Sequence, residues 1–185
     1  DFIVNNYNIP YEVLITLNIK IKNSKNSLPI LLPITNELAK FFGYIYSEGN
    51  IYINEKIGVY HTTFINHNKK ILNHFDECAN SCFMPNIIKR YTGEKETGRI
   101  IADKLITYLI SEVIGEKNGS NRVSIPDFIF NATDEIKYSF ISAIIDGDGS
   151  ITDNINHIAR YTTASQKYAE QLVLLLKTLN IESAL

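Results

Sequence analysis

Cysteines, long apolar runs and an excess of charge of either sign are all scarce in this sequence. Two cysteines in 185 residues do not make an oxidised disulfide framework. No uninterrupted apolar run reaches the roughly 18 residues of a membrane-spanning helix, and residues 1–5 lack the basic start of a signal peptide. We therefore expect a cytoplasmic protein without a membrane partner.

The near balance of charge argues mildly against a nucleic-acid binder, because such proteins usually carry a basic surface. The formal net charge is −2 at pH 7. Residues 51–100 hold seven Lys or Arg and five Asp or Glu, whereas residues 101–150 hold four and eight. The strand-rich first half is therefore mildly basic, which permits contact with DNA without demonstrating it.

A stretch at residues 35–49, TNELAKFFGYIYSEG, recurs in altered form at residues 133–149, TDEIKYSFISAIIDGDG. Each copy begins with a threonine that can cap a helix, followed by acidic residues that suit the positive helix end. Each copy ends with an acid and a glycine, and the residues between are almost all apolar. The sequence therefore predicts two buried helices of the same design, in one domain or in two similar halves that share an interface.

Small residues lie four positions apart in both copies: Gly43 and Ser47 in the first, Ala143 and Gly147 in the second. Residues four apart share one face of a helix, and a face without bulky side chains lets two helices approach closely. We therefore expect the two helices to pack on each other through these residues.

Packing of this kind brings Glu48 and Asp148 side by side at the C-terminal helix ends. Two carboxylates at negative helix ends repel each other unless a cation lies between them, which indicates a site for a hard divalent ion. Taken alone, an acid before a C-terminal glycine is often only a solvated helix end. The repetition and the matched small faces favour the metal site.

These residues resemble the LAGLIDADG homing endonucleases, whose motif helix ends in the same way. Residues 141–149, ISAIIDGDG, match the end of that motif, and residues 41–49 match it through Tyr-Ser-Glu-Gly. The surrounding sequence is most similar to the endonuclease domains carried inside archaeal inteins. The resemblance covers the chain from about residue 33 to its end.

The resemblance implies an α+β fold of two pseudo-twofold-related αββαββα repeats, whose antiparallel sheets form a saddle in the DNA major groove. It implies a site-specific endonuclease, a pseudo-dimeric monomer that hydrolyses phosphodiester bonds in a long double-stranded DNA site. Two or three Mg²⁺ ions would be shared between Glu48 and Asp148, beside Gly49 and Gly149. We expect a nearby cation, Lys89 or Arg99, to stabilise the charge of the transition state.

Two strands are predicted after each motif helix, at 50–54 and 57–65 in the first half and at 150–153 and 157–163 in the second, and they provide the predicted DNA-contacting surface. In residues 50–54 isoleucines alternate with polar residues, so one face is buried and the other is available for DNA. Basic residues lie in predicted strands at 86–92 and 98–102, where they can reach phosphates or base edges, although a solvated strand face explains each equally well. The predicted DNA-contacting residues are Tyr52, Asn54, Tyr60, Thr62, Lys89, Arg90, Arg99 and Arg160.

The predicted organisation has three parts: a linker or peripheral segment at 1–33, a first repeat at 34–122 and a second at 123–185. Internal comparison predicts that the second repeat is truncated, without the strands and the closing helix of residues 86–114. An incomplete repeat leaves two other functions of the same fold open, a catalytically inactive DNA-binding remnant and an RNA-binding intron maturase. A protein-interaction domain whose acid-glycine ends are only helix caps is a further alternative.

Apolar residues at steps of three and four predict a helix from Asn66, its expected N-cap, to about Phe83. On this helix His74, Cys78 and Cys82 have a spacing that could hold zinc. Zinc sites usually draw ligand pairs from separate segments of a chain. Cysteines buried in a packed helix are therefore the favoured interpretation.

Overall fold

The computed structural model describes residues 10–22, 26–90, 97–115, 123–152 and 158–185. Its helices are α1 (Tyr11–Leu14), α2 (Asn36–Glu48), α3 (Lys69–Cys82), α4 (Lys104–Ile114), α5 (Asp127–Phe130), α6 (Asp134–Asp148) and α7 (Gln166–Thr178). Its strands are β1 (Asn18–Ile19), β2 (Leu28–Pro29), β3 (Gly49–Asn54), β4 (Val59–Ile65), β5 (Ile88–Arg90), β6 (Gly98–Ile101), β7 (Ser150–Ile151) and β8 (Ala159–Arg160). From α2 to α4 the elements follow the order αββαββα.

The two motif helices, α2 and α6, begin differently although both follow a threonine. The side chain of Thr35 accepts a hydrogen bond from the backbone N–H of Leu38 at 3.2 Å, which caps α2. The side chain of Thr133 makes no capping hydrogen bond, although the residue is in the N-cap position of α6. The acids Asp134 and Glu135 remain in the first turn of α6, where they favour the positive helix end.

Four strands of the first repeat form an antiparallel sheet in the order β3-β4-β6-β5. In its register Asn50 pairs with Thr63, Thr63 with Ile100, and Ile100 with Lys89. Each of these pairs joins two neighbouring strands, so the four residues form one row across the sheet. The side chains of a row point to the same face.

The two faces of this sheet differ in what covers them. Buried Thr62, Phe64 and Ile101 lie on the face packed against the helices. The alternation of side chains along each strand assigns the intervening residues to the opposite face, called here the open face. The open-face residues include Asn50, Tyr52, Asn54, His61, Thr63, Lys89 and Ile100.

One continuous apolar core joins the two repeats, and the motif helices run through its centre. The rings of Phe64 and Phe75 stack with centroids 4.6 Å apart, which packs the sheet on α3. Tyr46 of α2 packs edge-on against Phe140 of α6 and stacks on Tyr168 of α7, with centroids 5.5 Å apart in both cases. Within the described ranges, none of the helices has the length and the apolar character needed to cross a membrane.

Part of the segment predicted as a linker packs on the first repeat. Leu28 is only 1% exposed and belongs to the common core. The side-chain amide of Asn26 donates a hydrogen bond to Oδ2 of Asp103 at 2.6 Å. The chain near residues 26–29 is therefore anchored beside the sheet.

The second repeat has a shorter strand pair than the sequence predicted. Strands were expected at 150–153 and 157–163, whereas β7 and β8 hold two residues each and Tyr161 to Thr163 are not in a strand. Residues 153–157 lie outside the described residues, as do 116–122, which precede the predicted start of the second repeat. Residues 91–96 also lie outside them and include most of the hairpin turn predicted at 93–97. After β8, Ser165 caps α7 by accepting from the N–H of Tyr168.

Helix α3 begins two residues later than predicted, and its polar residues do not form a zinc site. Asn68 is the N-cap residue, accepting from the N–H of Lys70 at 2.9 Å, whereas the prediction gave this role to Asn66. His74 Nδ1 is hydrogen-bonded to the Tyr44 hydroxyl at 2.8 Å. Among the described residues no group of three or more His, Cys, Asp or Glu could hold a metal. Cys78 is a buried core residue.

Burial raises the pKa of both thiols, Cys78 and Cys82, to about 12 from an ordinary value of 9.0. Between these values the folded protein keeps protons that the unfolded chain loses, so stability is full below pH 9 and falls as the pH rises toward 12. We expect the urea concentration at the unfolding midpoint to decline between pH 9 and about pH 12. The decline should be shallower in the Cys78→Ala, Cys82→Ala double variant, when each protein is compared with its own midpoint at pH 7. An equally steep decline in both proteins would contradict this assignment.

Candidate metal centre and nucleic-acid interface

The motif helices approach each other closely at two small-residue contacts. A Cβ atom added to Gly43 would lie 2.5 Å from the carbonyl oxygen of Phe140 and 2.7 Å from Cβ of Ala143. A Cβ atom added to Gly147 would lie 1.9 Å from Oγ of Ser47 and 2.7 Å from its Cβ. All four residues chosen from their spacing therefore meet at the crossing of α2 and α6.

The helix contact at Ser47 and Gly147 immediately precedes the two acids. Glu48 is the last residue of α2 and Asp148 the last residue of α6, and both residues are exposed. Since their preceding neighbours are in contact, the two acids leave the helix pair at the same end. The C-terminal ends of two helices and two carboxylates thus contribute negative charge to one small region.

The glycines after the acids allow the chain to turn from helix directly into strand. The backbone N–H of Gly149 donates to the carbonyl of Ile145 at 2.8 Å. A Cβ atom on Gly49 would lie 2.5 Å from the carbonyl oxygen of Ile45, and one on Gly149 would lie 2.6 Å from that of Ile145. A side chain at either glycine would push the strand away from the helix end. The acids are therefore held beside the first residues of β3 and β7.

Tyr161 lies close to both acids. Burial, together with the negative charges of Asp148 and Glu48, raises the pKa of its phenol to about 12. Tyr161, Ser47 and Asp148 also line a common cavity of about 280 Å³. Asp148 therefore lies at the same cavity as this phenol, and the charge of Glu48 also acts on it.

The donor set at the helix ends fits a hard divalent cation. Carboxylates and backbone carbonyls are the oxygen ligands that Mg²⁺ and similar ions prefer. Glu48 and Asp148 supply two carboxylates, and the described residues hold no cluster of three or more acids, histidines or cysteines to complete a cage. Any such ion would therefore need further oxygen ligands from water or from a bound phosphate.

The open face of the sheet starts at Asn50, two residues after Glu48, and carries polar side chains. Tyr52 is 47% exposed, and its hydroxyl accepts a hydrogen bond from the side-chain amide of Asn54 at 3.2 Å. His61 and Thr63 lie opposite Tyr52 and Asn50 in the register. A polar strand face of this kind can contact phosphates and the edges of bases.

Comparison with known sequences connects the chain to archaeal proteins. Residues 135–185 match the family model described as a LAGLIDADG-like domain. The chain is 27% identical over 171 residues to an uncharacterized protein of Methanocaldococcus jannaschii, which covers 86% of this chain and 18% of that protein. It is 28% identical over 158 residues to DNA polymerases of Thermococcus aggregans and Thermococcus kodakarensis, which covers 83% of this chain and 8% and 9% of those proteins. The chain thus spans less than a fifth of the length of these relatives.

Comparison with solved structures identifies the fold. A structure of mesophilic variants of the homing endonuclease I-DmoI has a TM-score of 0.59 at 14% identity, covering 80% of this chain and 78% of that chain. A structure of I-DmoI in complex with DNA and Mn has a TM-score of 0.59 at 13% identity, covering 82% of each chain. The chain has the fold of these homing endonuclease structures, and residues 135–148 of α6 lie within the match to the LAGLIDADG-like domain. The predicted resemblance and the predicted α+β fold are confirmed.

Three residues predicted to contact DNA lie on the helix-covered side of the four-stranded sheet instead. Thr62 is 1% exposed, and its hydroxyl lies 3.4 Å from that of Thr107 in α4. Tyr60 shares the face of Thr62 and packs against Tyr108 of the same helix. Arg99 is 4% exposed, and its Nε donates to Asp76 Oδ1 of α3 at 2.7 Å. None of these three side chains therefore lies on the open face, where contact with DNA was predicted. The buried pairing of Arg99 with Asp76 likewise contradicts the predicted catalytic role of Arg99.

The other basic candidates lie at different distances from the acids. Lys89 is exposed on the open face, but its row puts it three strand spacings, roughly 14 Å, from Asn50. That position suits a phosphate contact better than a role beside Glu48. Arg160 is exposed and pairs with Ser150, two residues after Asp148. Arg90 pairs with Arg99 in the register, and its side chain lies outside the described part of the chain.

Several residues near the LAGLIDADG helix ends were missed by the sequence reasoning. The side-chain amide of Asn66 donates to the carbonyl of Gly147 at 3.1 Å, which holds the end of α6 against the first repeat. Tyr161 shares a cavity with Asp148, and His61 and Thr63 lie on the open face. For His61 and Thr63 the sequence did carry a signal. An apolar Phe64 is expected to face the core, and side chains alternate along a strand, so His61 and Thr63 are expected on the opposite face.

Replacing Arg99 by methionine tests its corrected role. We expect Arg99→Met to lower the free energy of unfolding by about 2 kcal/mol, the usual size of a hydrogen bond between charged groups. The salt dependence of DNA affinity should not change, because the guanidinium does not reach the open face. Urea denaturation and DNA titrations at several NaCl concentrations measure both, with exposed Lys177→Met as the matched control. Normal stability with a weaker salt dependence would restore Arg99 as a phosphate contact.

Proposed function

We propose that this chain is a site-specific, Mg²⁺-dependent endonuclease that cleaves double-stranded DNA, and that it is carried by an intein. The observation that carries the proposal is the convergence of Glu48 and Asp148 at the ends of two closely packed helices, beside an open polar sheet face. A site for metal and phosphate next to a surface for duplex DNA is the arrangement that such a reaction needs.

The residues of the chain have distinct roles in this proposal. Tyr52, Asn54, His61 and Thr63 position the duplex through base edges and phosphates, and Lys89 and Arg160 neutralise phosphate charge. Glu48 and Asp148 bind the metal, each serving one strand, while Gly49 and Gly149 keep the acids at the start of the sheet. Bound Mg²⁺ supplies an activated water and stabilises the leaving oxygen. This chemistry needs no Ser-His-Asp arrangement.

The intein context is supported by the relatives. Segments similar to this chain occupy 8% and 9% of two archaeal DNA polymerases. A LAGLIDADG fold inside a much longer chain that is named for another activity is what insertion of an intein would produce. The I-DmoI structures with DNA and Mn support the choice of duplex DNA and a divalent ion.

A cleavage selection tests the proposal and identifies the target sequence in one experiment. The protein is incubated with a pool of duplexes of random sequence in Mg²⁺, in Mn²⁺, and in EDTA, and cut molecules are sequenced. We expect recovery of one long sequence family with Mg²⁺ or Mn²⁺ and none with EDTA. Specific duplex binding without cutting would indicate a DNA-binding remnant, and preference for structured RNA would indicate a maturase. Cutting that persists in EDTA would overturn the metal mechanism.

A further inference from the structure

A second cavity, of about 630 Å³, lies at the end of the four-stranded sheet that is farther from Glu48 and Asp148. Its lining includes several charged side chains. Three lysines contribute to it, from three separate parts of the chain: Lys22 from the N-terminal segment, Lys89 from β5 and Lys104 from α4. Pockets for small organic ligands are mostly lined by apolar side chains. A lining with three ammonium groups instead suits an anion.

The one acid in the lining does not neutralise these lysines. Asp103 is 6% exposed, and both of its carboxylate oxygens are used: Oδ1 accepts from the N–H of Ile106, and Oδ2 accepts from Asn26. Its charge lies at the positive N-terminus of α4, where it is compensated. No ion pair within the described part of the chain involves Lys22, Lys89 or Lys104.

The N-terminal segment holds Lys22 at this cavity. Ile21 packs against the common core, and Leu28 is buried in it. Asn26 binds Asp103, and the strand pair β1-β2 closes the segment on itself. Lys104 is also held, because its ammonium lies 5.0 Å from the ring centre of Tyr60 and 5.7 Å from that of Tyr108. The backbone around Lys22 and the ammonium of Lys104 are therefore both held beside the cavity.

The cavity continues the open face of the sheet. His61 and Lys89 belong to both the cavity lining and the open face. A duplex lying on that face would bring its phosphate backbone past the sheet end. Backbone phosphates are regularly spaced anions, and lysine contacts to them give affinity without reading sequence.

We propose that the N-terminal segment is part of the DNA-binding surface and that Lys22, with Lys104 and Lys89, binds a backbone phosphate of the duplex. This inference rests on the proposed function, because it assumes that duplex DNA occupies the open face. It assigns a role to a segment that the motif does not cover, and it extends the DNA contact beyond the four strands.

The test is the salt dependence of DNA affinity in Lys22→Gln. Affinity for the selected duplex is measured at several NaCl concentrations for the wild-type protein, Lys22→Gln and the control Lys177→Gln. Log affinity falls linearly with log salt concentration, and losing one phosphate contact makes this negative slope shallower by about 0.9. We expect that decrease in Lys22→Gln and an unchanged slope in Lys177→Gln. Lys104→Gln serves as a second variant if Lys22→Gln melts at a lower temperature.

The outcomes separate this inference from the proposed function. A wild-type slope in both lysine variants would overturn the inference while leaving the endonuclease proposal intact. Lysine-dependent binding of inorganic phosphate together with a wild-type DNA slope would also overturn it, since the cavity would then serve a free anion. Failure of the wild-type protein to bind any duplex would overturn the proposed function itself.

Discussion

Glu48→Gln and Asp148→Asn are each expected to lower metal-dependent DNA cleavage by at least about 100-fold, the scale of loss when one charge-stabilising group leaves an active site. Each substitution keeps the size of the side chain and removes the charge that holds the cation. DNA binding should persist, because the open face is unchanged. Single-turnover cleavage and duplex titration measure the two effects separately.

Asp146→Asn is the matched control for these variants. Asp146 lies on the same helix two residues before Asp148, but its charge acts on Tyr44. We expect wild-type cleavage from this variant. Cleavage that survives in both single acid variants would exclude the acids from the reaction.

Gly43→Leu is expected to destabilise the protein by more than about 3 kcal/mol, the upper range for overpacking of a closed interface. Even one Cβ atom at this position would overlap the backbone of α6. For a protein of this size the loss corresponds to a fall in melting temperature of roughly 6–12 °C. Thermal denaturation followed by circular dichroism measures it. Wild-type stability in this variant would show that the helices do not pack at Gly43.

Gly58→Leu is the control for the helix crossing. Gly58 has a φ of +68°, and a Cβ atom there would have nothing within 4 Å. Its substitution therefore costs only the backbone strain of a left-handed residue, about 1 kcal/mol. A similar loss in both variants would show that the effect at Gly43 comes from the loss of glycine rather than from the contact with α6.

A compensating pair tests the second contact of the same crossing. Gly147→Ala alone puts a methyl group into Ser47, whose Oγ is held by the carbonyl of Tyr44 at 2.9 Å. Adding Ser47→Gly removes both overlapping atoms, so we expect the double variant to recover much of the lost stability. Additive losses would contradict a direct contact between these two positions.

The sequence predicted the motif helices and their crossing because the relevant signals are local and duplicated. Each helix needs only an apolar run that ends at an acid and a glycine. The small residues were recognisable because they recur at the same spacing in both copies. The structure adds the reason for the glycines, which is the close approach of each strand to the preceding helix turn.

The basic and polar contacts were harder to predict because the face of a strand residue depends on what covers it. Arg99 has the same chemistry as a phosphate-binding arginine, yet Asp76 of a distant helix pairs with it beneath the sheet. Thr62 is polar but faces Thr107, which belongs to a helix 45 residues away in the chain. Neighbouring residues of a strand point to opposite faces of the sheet, so the charge of a residue does not show whether its side chain can contact DNA.

By itself the sequence determined the doubled helix, the pair of acids at its ends and the family that the chain resembles, since all three depend on residue order over short stretches. Tertiary structure alone decided which strand residues reach the open face, that Tyr161 shares a cavity with Asp148, and that Lys22 joins Lys89 and Lys104 at one cavity. These depend on contacts between segments distant in the chain, which the register of the sheet and the packing of the helices create.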